Sequence, residues 1–256
     1  MPMTILATDL DGTFLGGSAA DREALYRWIA AHRRHIVLIF VSGRGIDFMR
    51  GLARELPIAP DHVIGDVGTS VASGADFARL RALDDWLDAA WPADAPRRIR
   101  SALRGHADLQ PQSITGGRRC SYFYRDEAAA RTAASQVQAL GFDPLLSDNR
   151  FFDVLPRGVQ KGPTLLRLLD TLGLPPHRTL VAGDTLNDLS MFATGLAGVA
   201  VANREPALDA ALAAHPHVHR STLPGAAGVL DALQRFHHRG TPHGIATGHR
   251  LSPATV

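Results

Sequence analysis

Two short acidic clusters, each directly after an apolar run, constrain this chain more than any other feature. Ile5, Leu6 and Ala7 lead into Asp9-Leu10-Asp11-Gly12-Thr13, and Thr179-Leu180-Val181-Ala182 leads into Gly183-Asp184-Thr185-Leu186-Asn187-Asp188. Short apolar runs of this kind read as strands buried on both faces, the habit of parallel sheets covered by helices. Carboxylates at the ends of two such strands are what a hard cation with oxygen ligands requires. One of them can also serve as a nucleophile. The chain reads as a metal-dependent enzyme whose site lies where the two clusters meet.

The rest of the sequence fits that frame. Strand-like and helix-like segments alternate, as in βαβ units with a parallel sheet. Strands are expected at 4–8, 35–41, 62–65, 179–182, 198–202 and 217–220. Helices are expected at 21–32, 46–55, 163–172 closed by Gly173, 188–194, 206–214 and 226–236. The second strand ends in Ser42-Gly43-Arg44-Gly45 and the third runs into Asp66-Val67-Gly68-Thr69. The middle differs: a helix at 77–91, a break at Trp91-Pro92-Ala93-Asp94-Ala95-Pro96 and a second helix to about residue 105. Two strands follow at 109–114 and 119–125 around Gly116-Gly117, then a helix at 126–140 and a strand at 150–155. The expected organisation is a discontinuous α/β core at 1–78 and 155–236 with an inserted α+β unit at 79–154. From His237 the chain is rich in Gly, His, Pro and Thr without periodicity, and 237–256 is expected to be a mobile tail.

Composition excludes several classes. A net charge of +2 over 256 residues, with scattered basic side chains, gives no nucleic-acid footprint. No apolar run approaches the roughly 20 residues of a membrane span, and Asp9 and Asp11 interrupt any N-terminal secretory signal. The single cysteine, Cys120, forms no internal disulfide and suits a reducing compartment. The expected location is the cytoplasm. Oligomeric state, monomer or dimer, stays open.

Four separated motifs resemble those of the haloacid dehalogenase superfamily of phosphatases, in that family's order. These are Asp9-Leu10-Asp11-Gly12-Thr13, Ser42 closing the second strand, Lys161 before a helix, and Gly183-Asp184-Thr185-Leu186-Asn187-Asp188. The insertion between the second and third is similar to a C2B-type cap. Leu109-Gln110-Pro111-Gln112-Ser113, Asp153-Val154-Leu155-Pro156 with Lys161-Gly162, and Val201-Ala202-Asn203 resemble the sucrose-phosphatase-like branch. One departure stands out. That branch carries a Lys shortly before a Ser-Tyr pair, and here Arg119-Cys120 precede Ser121-Tyr122, so the sugar-reading face differs there.

The resemblance implies a Rossmann-like α/β core with an α+β cap, and Mg²⁺-dependent hydrolysis of a phosphorylated sugar or glycosylated polyol. Sucrose phosphate, glucosylglycerol phosphate and mannosylfructose phosphate are candidate substrates, and a glycosyltransferase is a candidate functional partner. Asp9 would attack phosphorus and Asp11 would act as general acid and base. Asp9, Asp11, Asp184 and Asp188 would hold the metal. Gly12, Ser42, Gly43, Lys161 and Asn187 would receive the phosphate. Arg44, Gly68, Thr69, Gln110, Gln112, Arg118, Arg119 and Tyr122 would meet the rest of the substrate.

Each motif has a plainer reading. Asp-rich turns are common caps, Ser42-Gly43 alone reads as a helix start, and a lone lysine is normally solvated. Arg44 reads equally as a substrate contact or a surface ion pair. The His215-Pro216-His217-Val218-His219 run reads as a surface strand, Trp86 and Trp91 as packing, and Cys120 as a small packed residue. Three other functions stay open: a promiscuous phosphatase for small phosphomonoesters, a phosphomutase, and a non-catalytic phosphate-binding module.

Overall fold

The computed structural model describes residues 3–114 and 116–239. In chain order the elements are β1 (Thr4–Thr8), α1 (Ala19–Ala31), β2 (Ile36–Val41), α2 (Ile46–Glu55), β3 (His62–Gly65), β4 (Ser70–Ser73), β5 (Ala78–Arg79), α3 (Arg81–Ala90) and α4 (Ala95–Leu103). Then come β6 (Gln110–Pro111), β7 (Cys120–Phe123), α5 (Glu127–Ala139), β8 (Asp143–Ser147), β9 (Phe151–Leu155), α6 (Lys161–Thr171), β10 (Thr179–Gly183) and α7 (Leu189–Phe192). The chain closes with β11 (Ala197–Ala200), α8 (Pro206–Ala211), β12 (Val218–Arg220) and α9 (Gly225–Arg239).

The main sheet has the order β12-β11-β10-β1-β2-β3-β4-β5. Its first six strands are parallel, and β4 and β5 add an antiparallel edge. β1 sits between β10 and β2, with Thr8 level with Ala182 and Phe40. That register brings the residues just after β1, β2 and β10 to one end of the sheet. Strand alternation divides β1 between two cores. Leu6 packs with Leu25, Ile29 and Val229 on one side, and Ile5 and Ala7 pack with Leu165, Leu168 and Phe192 on the other. Ser18 opens α1 through a capping box with Asp21, and Gly173 closes α6 at φ +63°.

The inserted segment forms its own four-stranded sheet, β6-β7-β9-β8, with α4 and α5 packed on one face. Ile99, Tyr122, Val137, Phe152 and Val154 make the core between them. Helix α3 follows residue 78 yet packs Leu83 and Leu87 into the core beside Leu165 and Leu168.

Several elements depart from the sequence reading. β4, β5 and β8 had no strand signal, because β4 is two polar residues around Val71 and Ala72, β5 is two residues long and β8 carries Pro144. A proline is tolerated in β8 because that strand is an edge, paired only with β9. The helix expected from Phe77 begins at Arg81, since Phe77 turns with φ +57° after Gly74. The tail expected from His237 begins later. α9 continues to Arg239, and His237 is buried, its Nδ1 2.9 Å from Thr4 Oγ1 and its ring edge-on to Trp28. The remaining 240–256 lie outside the described residues. His219 is exposed on β12 and His217 lies just before it, hydrogen-bonded to the Phe192 carbonyl. No described helix is long and apolar enough to cross a membrane.

Candidate active site

The residues after β1 and β10 meet the start of α6 at one buried cation. Lys161 is the first residue of α6 and is fully buried. Its Nζ donates to Asp9 Oδ1 at 2.7 Å, to Asn187 Oδ1 at 2.6 Å and to Asp188 Oδ1 at 2.6 Å. Asp188 Oδ2 accepts from the backbone N–H groups of Asp184 and Thr185 at 2.9 and 3.0 Å. Both oxygens of Asp188 are therefore committed to holding the loop and the lysine. Asp184 accepts from the Thr13 hydroxyl at 2.7 Å and from Asn203 Nδ2 at 3.3 Å. Asn203 also donates to the Gly12 carbonyl at 3.0 Å. Gly12 has φ +81°, and a Cβ there would lie 2.1 Å from Asp184 Oδ2, so only glycine fits between the two clusters.

Asp9, Asp184 and Asp188 each offer an oxygen within 4.8 Å of one another, the one group of at least three metal-ligand side chains among the described residues. Three buried carboxylates face a single ammonium, an excess of negative charge suited to a divalent cation. The titration behaviour reflects the crowding. Burial pushes the Asp9 carboxyl up to about 7, against the pull of Lys161 and with a further push from Asp188. Burial, then the charges of Asp188 and Asp9, push Asp184 up to about 8. Burial disfavours the Lys161 charge, but Asp188 and Asp9 outweigh it and hold the ammonium protonated above the usual lysine range.

Ser42 and Gly43, expected at the phosphate, follow β2, whose neighbour in the sheet is β1. Ser42 is buried just beyond β2, and its Oγ accepts from the Arg44 N–H at 3.1 Å. Arg44 grips Asp11 with two bonds, 2.9 and 3.1 Å, with both side chains about half exposed. This ion pair is one of the two readings of Arg44, and it leaves the other untouched.

The other residues expected to meet the sugar divide into four groups. Gln110 and Gln112 lie on β6 or just beyond it; Gln110 is exposed, and Gln112 donates to the Tyr122 carbonyl. Strand alternation places Tyr122 on the opposite face, in the helix-packed core, 5% exposed. Gly68 (φ +106°) packs on the start of α6, where its carbonyl accepts from Thr164. Thr69, Arg118 and Arg119 join the inserted unit to the core. Arg118 bonds Asp84, Asp88 and the Thr69 carbonyl. Arg119 bonds Asp66, Asp153 and the Gly43 carbonyl. A second junction forms at the β8–β9 turn, where Glu205 accepts from the Asp148 and Leu186 N–H groups at 3.0 and 2.8 Å. Trp86 packs on the main core, Trp91 on Phe142, and burial pushes the Cys120 thiol up, away from nucleophilic use.

Sequence reasoning passed over Thr13, Asn203, Glu205, Asp66 and Asp153 as site residues. Thr13 and Asn203 lie inside motif words already singled out. Glu205 carries no signal at all, since its partners are backbone groups 19 and 57 residues away.

The chain as a whole has counterparts among known proteins. The sequence model of the sucrose-6F-phosphate phosphohydrolase family matches residues 2–237. The chain belongs to that family. By class it is a phosphoric monoester hydrolase, with the haloacid dehalogenase architecture. It is 40% identical over 250 residues to a glucosylglycerol-phosphate synthase of Pseudomonas anguilliseptica, covering 97% of this chain but 33% of the synthase. It is 32% identical over 246 residues to mannosylfructose-phosphate phosphatase of Agrobacterium fabrum, covering 92% of this chain and 97% of that one. This family member thus spans a third of one relative and nearly all of the other. The crystal structure of the sucrose-phosphatase from Synechocystis sp., in complex with sucrose and phosphate, superposes with a TM-score of 0.83 at 24% identity, covering 93% and 99% of the two chains.

Proposed function

We propose that this chain hydrolyses the phosphomonoester of a phosphorylated sugar or glycosylated polyol through an aspartyl-phosphate on Asp9, with Mg²⁺ as its cation. The observation that carries the reading is the Lys161 cluster, which sets a carboxylate oxygen beside a fixed ammonium at the carboxyl end of a parallel sheet. Open α/β sheets bind ligands at that end. Among the described residues no hydrogen bond reaches Asp9 Oδ2, so that oxygen is free to attack phosphorus. Asp9 forms the new P–O bond while the ester P–O bond breaks, and Asp11 delivers a proton to the leaving alkoxide. Asp11 then takes a proton from the water that attacks the acyl phosphate, which returns Asp9 and releases inorganic phosphate.

Lys161, Asn187, the Ser42 hydroxyl and the Gly12 and Gly43 N–H groups receive the phosphoryl oxygens. Asp9, the Asp11 carbonyl and Asp184 would hold the cation, and Asp188 steadies Lys161 and the Asp184 loop. A bound Mg²⁺ supplies positive charge to the phosphoryl oxygens. The four-stranded unit acts as a cap that excludes water, and its face bearing Gln110, Gln112 and Ser121 reads the sugar.

Glucosylglycerol phosphate is the first substrate to try, because the 40%-identical relative is named for that compound. That relative is a synthase and much longer than this chain, which supports a glycosyl-transfer step as the source of the substrate. The test is phosphate release from glucosylglycerol, mannosylfructose, sucrose and simple sugar phosphates, with Mg²⁺ or excess chelator. One substrate is expected to lead by about 10³ in kcat/KM, roughly 4 kcal/mol of discrimination, and chelation is expected to stop turnover. Equal weak rates across the panel would contradict a dedicated phosphatase, and full activity in chelator would remove the metal.

A further inference from the structure

Arg119 sits where the inserted unit meets the phosphate loop. It directly precedes β7, and its side chain is 10% exposed, facing Asp66 (4%) and Asp153 (8%). Nη1 donates to Asp153 Oδ1 at 3.2 Å, and Nη2 donates to Asp66 Oδ1 and to the Gly43 carbonyl, both at 3.1 Å. Asp153 belongs to β9 of the inserted unit and also accepts from Ser121. Asp66 and Gly43 follow β3 and β2 of the core.

The same short stretch of core is stitched from below. The Ser42 carbonyl accepts from Val67 N–H at 3.1 Å, and the Arg44 carbonyl accepts from Asp66 N–H at 2.9 Å. Asp66 and Val67 are both left-handed, at φ +52° and +60°, a conformation that persists only where the surroundings over-determine it. The turn carrying Arg119 presses close: a Cβ on Gly117 would lie 2.7 Å from Asp66 Cβ. Thus the Ser42–Arg44 stretch is held through its Ser42 and Arg44 carbonyls by the core and through its Gly43 carbonyl by a side chain from the inserted unit.

We propose that Arg119 is a positioning residue: by joining Asp153 of the inserted unit to Asp66 and the Gly43 carbonyl, it makes docking of that unit set the place of the Ser42–Gly43 phosphate loop. The inference rests on the phosphatase reading above and assigns Arg119 to the loop, not to the sugar. The planar guanidinium reaches Asp153 through Nη1 and Asp66 and the Gly43 carbonyl through Nη2, a fixed span between two nitrogens that a single ammonium lacks.

The test uses Arg119→Lys, Arg119→Gln, Asp153→Asn and the double variant, each checked for folding by circular dichroism at the assay temperature. Kinetics are measured with the preferred glycosyl phosphate and with p-nitrophenyl phosphate, which brings no sugar, and inhibition by inorganic phosphate is measured alongside. In both Arg119 variants kcat is expected to fall about 10²-fold for both substrates, as for a misplacement near 1 Å. Inorganic phosphate is expected to inhibit about tenfold less well, the scale of one charged hydrogen bond. The double variant should be no worse than Arg119→Gln alone.

A loss confined to KM for the glycosyl phosphate would assign Arg119 to the sugar and overturn the inference. A lowered melting temperature with unchanged kcat and phosphate inhibition would overturn it too. If the Arg119 variants do not fold, Asp153→Asn decides: a fall in kcat with weaker phosphate inhibition supports the inference, and wild-type values for both overturn it. A wild type that neither hydrolyses nor binds phosphate removes the phosphatase reading and this inference with it. An active wild type with unaffected variants removes this inference alone.

Discussion

Two cations drawn largely out of solvent, Lys161 and Arg119, organise this molecule, and each is outnumbered by carboxylates. Lys161 faces Asp9 and Asp188, with Asp184 alongside; Arg119 faces Asp66 and Asp153. The Lys161 cluster lies wholly within the core, and it leaves acceptor capacity on Asp9 and Asp184 unspent. The Arg119 cluster bridges two units, and its charge is shared with a backbone carbonyl. The Lys161 ammonium takes one oxygen of Asp9 and leaves the other without a hydrogen bond among the described residues. A fork that spans its neighbours leaves a joint. The number of charges is similar, but what remains unpaired separates a place for chemistry from a place for assembly.

The comparison breaks most visibly at Asp9. Asp9→Asn is expected to lower turnover by about 10⁴-fold or more, the scale of losing a nucleophile, while the melting temperature holds or rises because one crowded charge is gone. Phosphate release and a thermal melt check both halves; a large fall in melting temperature would make Asp9 a structural residue. Lys161→Ala comes next. It strands Asp9 and Asp188 as buried charges, so unfolding in urea without metal should show a loss of about 3–5 kcal/mol. A loss under about 1 kcal/mol, the value of an exposed pair, would mean the cluster is far wetter than its burial implies.

The pH dependence sharpens the contrast. In the metal-free protein Asp9 is held up to about 7 and Asp184 up to about 8, both chiefly by burial, against an ordinary value of 3.8. The folded state therefore binds more protons than the unfolded state between those values. The stability they contribute is present below about pH 4 and is lost as pH rises through 7 to 8. Melts of the wild type, read against an Asp9→Asn/Asp184→Asn double variant to cancel other titrations, should fall across that range. Added Mg²⁺ should restore stability most at the alkaline end, where the ligands ionise without cost. A Mg²⁺ effect largest near pH 5 would contradict the assignment.

The smallest effect is expected at Tyr122. Its ring packs in the inserted unit's own core. Tyr122→Phe should leave kcat/KM within about twofold and stability within about 1 kcal/mol. A tenfold rise in KM would return Tyr122 to the substrate face.

These differences also explain what the sequence displays and what it hides. β1, β2 and β10 are legible because strands buried on both faces are largely apolar, and the ends of β1 and β10 are legible because carboxylates stand directly after them. In sequence, Lys161 and Asn187 are associated with Asp9 only through the family's motif order, since 152 residues separate Lys161 from Asp9. Arg118 and Arg119 look like substrate contacts in sequence because a charge is visible and its partner is not. Asp66 and Asp153 lie 53 and 34 residues from Arg119. Tyr122 differs for another reason: one residue along a strand changes its face, and β6 and β7 are too short for period alone to fix the register.

The most direct test of the account is to trap the phosphoryl group on the protein. Wild type and Asp9→Asn would be mixed with the preferred glycosyl phosphate, labelled in its phosphate, in Mg²⁺ and quenched in acid within a single turnover. The account predicts label on the wild-type peptide that contains Asp9, released by hydroxylamine as an acyl phosphate must be, and none on Asp9→Asn. Turnover by wild type with no labelled peptide, or turnover by Asp9→Asn at the wild-type rate, would contradict it.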